Sequence, residues 1–163
     1  MDERASLPRA EFHIVEDNLQ GAEVIALLQQ HLDEMFQYTP PDLVHAMPIE
    51  RLRQPDVTFY SAWHDGELAV VGALKDLGNG KGELKSMRAA DAFRGRSAGE
   101  AMLLHLVEVA HLRGYKWLGL ETGRTEPFHP AQHLYRKHGF AECEPFGDYL
   151  PGDFSICMSL ELE

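Results

Sequence analysis

The most informative stretch of the sequence is residues 93–99, FRGRSAG, which lie between a strand-like run at 82–88, GELKSMR, and a helix-like run at 100–110, EAMLLHLVEVA. Small residues let an anion approach the backbone, and the first N–H groups and the dipole of a helix favour negative charge. Two arginines add directional donors. The stretch therefore predicts a site for a phosphorylated ligand. The alternative is a turn with a helix cap and two solvated arginines, because GxxxxGKS/T and GxGxxG are both absent.

Size and composition indicate one soluble globular domain. The chain has 163 residues, of which 44% are hydrophobic and 25% charged. We expect residues 1–10 to form a flexible tail and residues 11–163 to form a single domain. No apolar run approaches the roughly 20 residues needed to cross a bilayer, and the charged start MDER has no signal-peptide character. We therefore expect a cytoplasmic protein with no membrane partner.

The charge balance is acidic, with a formal net charge of −11. This disfavours nucleic acid as a partner, because proteins bind nucleic acid largely by neutralising its phosphates. An acidic surface is compatible with steering of a cationic amine, although it also serves solubility alone. The two cysteines, Cys143 and Cys157, make no disulfide framework. We expect them to be reduced, buried neighbours on the last two strands.

Apolar periodicity and turn residues predict the order of the elements. Asp17 or Asn18 is expected to cap the first helix, and Gly114 to end the third. Antiparallel hairpins followed by a βαβ unit predict an α/β fold, with a mixed, mostly antiparallel central sheet flanked by helices. The predicted strands lie at 11–15, 57–63, 67–75, 82–88, 116–122, 140–144 and 154–160, and the predicted helices at 18–37, 48–53, 97–113 and 130–138.

Two sequence blocks in this order resemble the GNAT superfamily of acetyl-CoA-dependent N-acetyltransferases. Residues 94–99, RGRSAG, are similar to the family's Q/R-x-x-G-x-G/A loop, with Ser97 in place of the middle glycine. Residues 131–140, AQHLYRKHGF, resemble its A-x-x-L-Y-x-x-x-G-F segment, and ETG at 121–123 and PFGDY at 145–149 resemble small bacterial members. The resemblance covers nearly the whole chain and implies the GNAT fold. Dimers are common in the family, which makes a homodimer an open alternative.

The resemblance implies acetyl-CoA as the acyl donor and assigns residues to it. Backbone N–H groups of the loop would hold the pyrophosphate, and Ser97 would also cap the following helix. Backbone N–H groups near the end of the central strand would stabilise the oxyanion of the tetrahedral intermediate. The implied cofactor-binding residues are Met87, Arg88, Arg94, Gly95, Arg96, Ser97, Ala98 and Gly99.

The same resemblance implies how protons move. Tyr135, at the family's L-Y position, is the candidate acid for the CoA thiolate, although it could merely pack the helix against the cofactor. Glu83 is the candidate base, and period-two alternation predicts that it shares a strand face with Lys85 and Met87. Glu121 is a second candidate base. Either glutamate could instead bind the substrate ammonium or be a solvated strand residue, and water alone could serve as base.

Further residues are candidates for the acceptor pocket. In GNAT folds, the segment after the first helix and the last loop often line that pocket. The implied substrate-binding residues are His45, Glu121, Asp148 and Tyr149. His129 and His133 are four residues apart, as zinc ligands are on a helix, but HExxH and an obvious third ligand are absent, so we expect no metal.

The sequence thus predicts an enzyme that transfers the acetyl group of acetyl-CoA to the amine of a small molecule. The amine would attack the thioester directly in a ternary complex, without an acyl-enzyme or a metal. Two alternatives stay open at this point: a non-catalytic acetyl-CoA or CoA-binding sensor or assembly module, and an acetyltransferase acting on protein or peptide amines.

Overall fold

The computed structural model describes residues 11–44, 47–147, 149, 152 and 154–162. These residues form a seven-stranded sheet in the order β1-β2-β3-β4-β5-β7-β6, flanked by helices α1 to α4. Every pair of neighbouring strands is antiparallel except β4 and β5, so the predicted α/β class is confirmed. The strands are β1 His13–Glu16, β2 Val57–His64, β3 Glu67–Gly78, β4 Lys81–Ala89, β5 Trp117–Gly123, β6 Ala141–Cys143 and β7 Ser155–Glu161, and the helices are α1 Ala22–Tyr38, α2 Ile49–Leu52, α3 Ala98–Leu112 and α4 His129–Lys137.

Apolar side chains cover both faces of the sheet. Met102, Leu103 and Leu106 of α3 are fully buried against one face. On the other face, Leu27 and Leu28 of α1 pack in a second buried cluster. Their spacing of three or four residues is that of one helical face, and each such burial contributes about 1.5–3 kcal/mol. The sheet is therefore sandwiched between helices, and its central strands carry the site.

The parallel strands β4 and β5 pair over only part of their length. Their ladder runs from Lys81 opposite Trp117 to Glu83 opposite Gly119. Both strands continue further, to Ala89 and Gly123, but β5 then pairs with β7 alone. Parallel neighbours need a crossover connection, and α3 supplies it. The divergence of β4 from β5 opens a cleft in the middle of the sheet.

A β-bulge in β4 changes which side chains face which way. The register of β4 against β3 shifts around Ser86, which has φ of 56°. Met87 consequently packs into the core beneath α3. Its Sδ lies against Gly72 of β3, only 2.8 Å from the position that a Cβ atom on this glycine would occupy. The prediction that Met87 shares a face with Glu83 and Lys85 is therefore wrong. The extra residue of a bulge interrupts the simple period-two alternation of a strand.

The ends of α1 and α3 test two local predictions. Helix α1 begins after Gly21, so the predicted cap by Asp17 or Asn18 is wrong. Their side chains instead accept hydrogen bonds from the N–H groups two residues on, at 2.8 and 3.2 Å, which is the local turn that Asx residues favour. Gly114 has φ of 79° just after α3 and ends it as predicted.

The cysteines lie as predicted, on the last two strands. Cys143 of β6 is the register partner of Cys157 of β7, and both thiols are free. Cys157 is buried and Cys143 is half-buried. In the part of the chain that the structure describes, no helix has the length and apolar character needed to cross a membrane.

Candidate active site

The cleft between β4 and β5 holds two adjoining cavities. The loop cavity, of about 880 Å³, lies over the segment 94–99 at the start of α3. The strand cavity, of about 140 Å³, lies between the diverging strands and reaches Tyr135. The two share a wall, which places the predicted phosphate loop and the predicted acid on one continuous cleft. The shared lining residues are His31, Met35, Met87, Phe128 and Ala131.

The loop presents its backbone to the loop cavity. Gly95 and Ser97 both have left-handed φ, at 75° and 68°. Among the described residues, no backbone carbonyl accepts from the N–H groups of Gly95, Ser97, Ala98 or Gly99. Such amides at a helix N-terminus form a concave site for an anion. The predicted side-chain cap by Ser97 is wrong, because capping normally requires the extended backbone that Ser97 lacks.

The two loop arginines have different surroundings. Arg94 lines the loop cavity, and its Nη2 lies 3.1 Å from Asp91 Oδ1, with both side chains largely exposed. Arg96 is absent from the described lining of that cavity, and its guanidinium lies 5.0 Å from the centre of the Phe93 ring. An exposed ion pair is weak, so a phosphate can replace Asp91 beside Arg94.

Met87 and Arg88 lie at the end of β4, beyond its last pairing with β5. Met87 lines both cavities, whereas Arg88 lines the loop cavity. The guanidinium of Arg88 makes a two-pronged ion pair with Glu34 of α1, in which Nη2 lies 2.9 Å from Oε1 and Nη1 contacts Oε2. These hydrogen bonds hold the pKa of Glu34 below its ordinary value. The side chain of Arg88 is therefore already engaged within the protein.

Tyr135 lies on α4, buried at 7% exposure, and lines the strand cavity. Its ring packs against Phe140, with ring centres 5.8 Å apart. Burial raises the pKa of Tyr135 to about 12. The phenol therefore stays protonated at neutral pH, which is the form that can donate to a developing thiolate.

The structure separates the two candidate bases. Glu121 lines the strand cavity together with Tyr135 and Lys85. Glu83 is 3% exposed and is not among the described residues that line either cavity. The hydroxyl of Tyr149 donates to Glu83, while Lys85 Nζ donates to that hydroxyl at 2.6 Å and lies 3.4 Å from Glu83. Glu83 is thus connected to the strand cavity through Lys85, which lines it, whereas Tyr149 is not among the described lining residues of either cavity.

Tyr149 is the predicted acceptor-site residue that the structure describes in the last loop. Burial first, and then the charge of Glu83, raise the pKa of Tyr149 above its ordinary range, so it remains a neutral donor. Of the other predicted acceptor-site residues, Glu121 lies in the strand cavity, and His45 and Asp148 lie outside the described residues.

Helix α1 contributes residues that the sequence analysis did not assign to the site. His31 and Met35 line both cavities. Burial, and then the charge of Arg88, lower the pKa of His31 to about 4, so its ring is neutral at physiological pH. Its Nδ1 is buried with no hydrogen-bond partner among the described residues. The sequence does mark this position, because His31 is a polar residue among the apolar residues that recur at three- and four-residue spacing along α1.

The histidines considered as metal ligands do not form a described site. His129 Nε2 lies 3.2 Å from the carbonyl oxygen of Arg124, and His133 is exposed. Within the described ranges, no group of three His, Cys, Asp or Glu side chains is arranged to hold a metal ion.

Comparisons with known proteins agree on one family. Residues 24–140 match the model of the acetyltransferase (GNAT) family. The uncharacterized N-acetyltransferase YsnE of Bacillus subtilis is 43% identical over 150 residues, which span 92% of this chain and 99% of YsnE. The uncharacterized N-acetyltransferase YedL of Escherichia coli is 44% identical over 151 residues, or 93% and 95% of the two chains. A solved Klebsiella pneumoniae structure, assigned to the acyl-CoA N-acyltransferases, superposes with a TM-score of 0.75 at 27% identity, covering 93% of this chain and 98% of that one.

Proposed function

The chain belongs to the acetyltransferase (GNAT) family, and we propose that it transfers the acetyl group of acetyl-CoA to the amine of a small molecule. One observation carries the proposal. Two adjoining cavities have, at one end, loop amides with no backbone partner among the described residues and, at the other end, Tyr135 with Glu121. The first end would bind a polyanionic donor and the second would transfer protons, with the reacting atoms meeting between them.

The residues present at the loop end fit acetyl-CoA, which supplies an activated thioester when bound. The four N–H groups of Gly95, Ser97, Ala98 and Gly99, which have no backbone acceptor in the described part of the chain, would hold the pyrophosphate, with help from the dipole of the 15-residue helix α3. Arg94 would add a charge-assisted contact. Arg96, which faces Phe93, is expected to contribute little.

Backbone amides near Met87 and Arg88 would stabilise the oxyanion as the amine attacks the thioester. Met87 lines both cavities, so this segment is at the junction where the thioester would lie. Preorganised N–H donors at such a point are worth several kcal/mol in a transition state, about 2.7–4 for one donor. The Arg88 guanidinium, held by Glu34, would fix the strand end rather than bind phosphate.

Proton transfer would be divided between carboxylates and a phenol. Glu121, which lines the strand cavity, would accept the amine proton directly or through water, while Glu83 would act through Tyr149 and Lys85. Tyr135 would donate to the departing sulfur. Its pKa of about 12 exceeds the roughly 8.5 of a simple thiol, so the phenolate left behind must be reprotonated quickly. The acceptor nitrogen loses a second proton as the amide forms, after the first has gone to Glu121, and that second proton can supply it.

The size of the strand cavity supports a small acceptor. Its volume of about 140 Å³ is close to that of a cavity that holds one benzene molecule, near 150 Å³. A narrow amine fits such a space. The net charge of −11 further favours a cationic acceptor through long-range steering. A cytoplasmic location and a homodimer remain predictions.

An acceptor panel tests this proposal. The purified protein is mixed with acetyl-CoA and either small primary amines or lysine-containing and N-terminal peptides, and free thiol release is followed. We expect turnover with one or more small amines and none with peptides beyond background hydrolysis. Faster turnover with peptides would instead assign the protein to the alternative class that acts on protein or peptide amines.

A further inference from the structure

Helix α1 is connected to the end of β4 by a half-buried ion pair that the proposed chemistry does not use. The side chain of Arg88 is 10% exposed and that of Glu34 is 28% exposed. The two-pronged geometry fixes orientation as well as distance, which a single contact would not. The Nε of Arg88 is buried with no partner among the described residues, so Glu34 provides the principal described anchor for this guanidinium.

Asp91 extends this ion pair to the phosphate loop. Its Oδ1 lies 3.1 Å from Arg94 Nη2 and 3.6 Å from Arg88 Nη2. Its Oδ2 accepts a hydrogen bond from Gln30 of α1 at 3.1 Å. A continuous set of polar contacts therefore runs from Arg94, in the loop that would hold the pyrophosphate, to two residues of α1.

The same helix forms one wall of the strand cavity. His31 and Met35, which flank Glu34 on α1, line both cavities. Arg88 is also close enough to His31 to lower its pKa, which joins the ion pair to that wall. A displacement of Arg88 would also displace the side chains of His31 and Met35, because packed interiors transmit displacements between contacting groups.

We propose that Glu34 is a positioning residue, which through Arg88 and Asp91 couples donor binding at the loop to the order of α1, the wall of the acceptor cavity. This inference rests on the proposed function, because it takes acetyl-CoA as the ligand of the loop. A phosphate at Arg94 would release Asp91 to Arg88 and Gln30 and tighten the contact with α1. The acceptor wall would then be fully ordered only after the donor has bound.

Amide hydrogen exchange with and without acetyl-CoA, together with calorimetry of acetyl-CoA binding, tests the coupling. The variants are Glu34→Gln and, as a matched control, Asp33→Asn, which removes the same charge from an adjacent exposed residue that contacts Gln29. In the wild type and Asp33→Asn, we expect acetyl-CoA to slow exchange in residues 22–38 by about tenfold. In Glu34→Gln, we expect affinity for acetyl-CoA within about threefold of wild type and no slowing in that helix.

The outcomes separate the inference from the proposed function. If neither the wild type nor any variant binds acetyl-CoA, the proposed function fails. If the wild type binds but α1 exchange is unchanged, or if Glu34→Gln keeps the full slowing, the coupling alone is overturned. If Glu34→Gln does not fold, Arg88→Lys replaces it, because this variant keeps the charge but loses the two-pronged geometry. We expect acetyl-CoA to slow amide exchange in α1 of Arg88→Lys by less than half of the wild-type factor. Full slowing in Arg88→Lys would count against the proposal.

Discussion

At the loop end of the cleft, the groups offered to a ligand are backbone amides of one short segment, whereas at the strand end they are side chains from separate elements. Residues 94–99 supply the first set. His31 of α1, Lys85 of β4, Glu121 of β5 and Tyr135 of α4 line the second. Backbone amides recognise any suitable anion, while assembled side chains define a particular reaction. Under the proposed function, donor binding and acceptor selection would therefore lie in different parts of the molecule.

The largest effect is expected at Tyr135. Tyr135→Phe removes one hydroxyl from the strand end and should lower kcat about 10²–10⁴-fold, the usual contribution of a positioned acid. The dissociation constant of acetyl-CoA should stay within about twofold, since the loop end is untouched. Steady-state kinetics with an acceptor found in the panel and calorimetry of acetyl-CoA measure the two quantities. An unchanged kcat would remove Tyr135 from the acid role.

A second substitution at the strand end compares the two candidate bases. Glu121→Gln should lower kcat/KM for the acceptor about 30–100-fold, because the amide cannot accept a proton. Glu83→Gln is the comparison, and we expect a smaller loss because Glu83 is buried behind Tyr149 and Lys85. The pH dependence of kcat/KM for both variants is the measurement. A larger loss in Glu83→Gln would reverse the assignment.

His31 makes the strand end sensitive to acid. Its pKa in the fold is about 4, below the ordinary 6.5, so the unfolded chain takes up its proton first as pH falls. Stability from this group is therefore complete above about pH 6.5 and declines toward pH 4, by about 2 kcal/mol at pH 5. Urea unfolding at pH 7.5 and 5.0 should show this loss in wild type and a smaller one in His31→Gln. His111→Gln, which changes an exposed histidine, is the control and should behave as wild type.

The loop arginines give a matched pair at the other end. Arg94→Ala should weaken acetyl-CoA binding about tenfold, since a charge-assisted contact contributes roughly 1.4 kcal/mol or more. Arg96→Ala removes the same charge from a residue that faces Phe93, and affinity should change by less than about twofold. Calorimetry in one buffer separates the two. Equal weakening of acetyl-CoA binding in the two variants would mean that the arginines contribute through their net charge and not through their positions in the loop.

A further substitution at the loop end concerns the loop backbone. Gly95 has φ of 75° and open space around its Cα, so Gly95→Ala meets no neighbour but must adopt a left-handed conformation. That should cost about 1–2 kcal/mol of unfolding free energy. Gly21→Ala has equal space without positive φ and serves as the control. Urea unfolding measures both, and equal stability of the two variants would show that the strain is relieved locally.

The features that could be predicted from the sequence are those that short segments of the chain determine by themselves. The order of the strands, the long helices and the loop at 94–99 follow from periodicity and turn residues, and Tyr135 from a short block on α4. The contacts between Glu34 and Arg88 and between Tyr149 and Glu83 were not predictable, because each joins residues more than fifty positions apart. Nor was it predictable that His31 lines the cleft, since the apolar face of a helix does not reveal which of its residues borders a cavity.

The bulge at Ser86 changes the path of the backbone beside the cleft, but the packing of side chains on the two faces of the sheet does not depend on it. Lys85 and Arg88 face α1 while Met87 faces α3, so the strand would alternate regularly if Ser86 were absent. A chain shortened by this one residue would keep every neighbouring side chain on its present face. It would lose the local step in the backbone beside the segment that we propose to face the thioester. Ser86 is thus an extra residue that the packing of the sheet does not require, and under the proposed function its deletion is expected to keep the architecture and impair the chemistry.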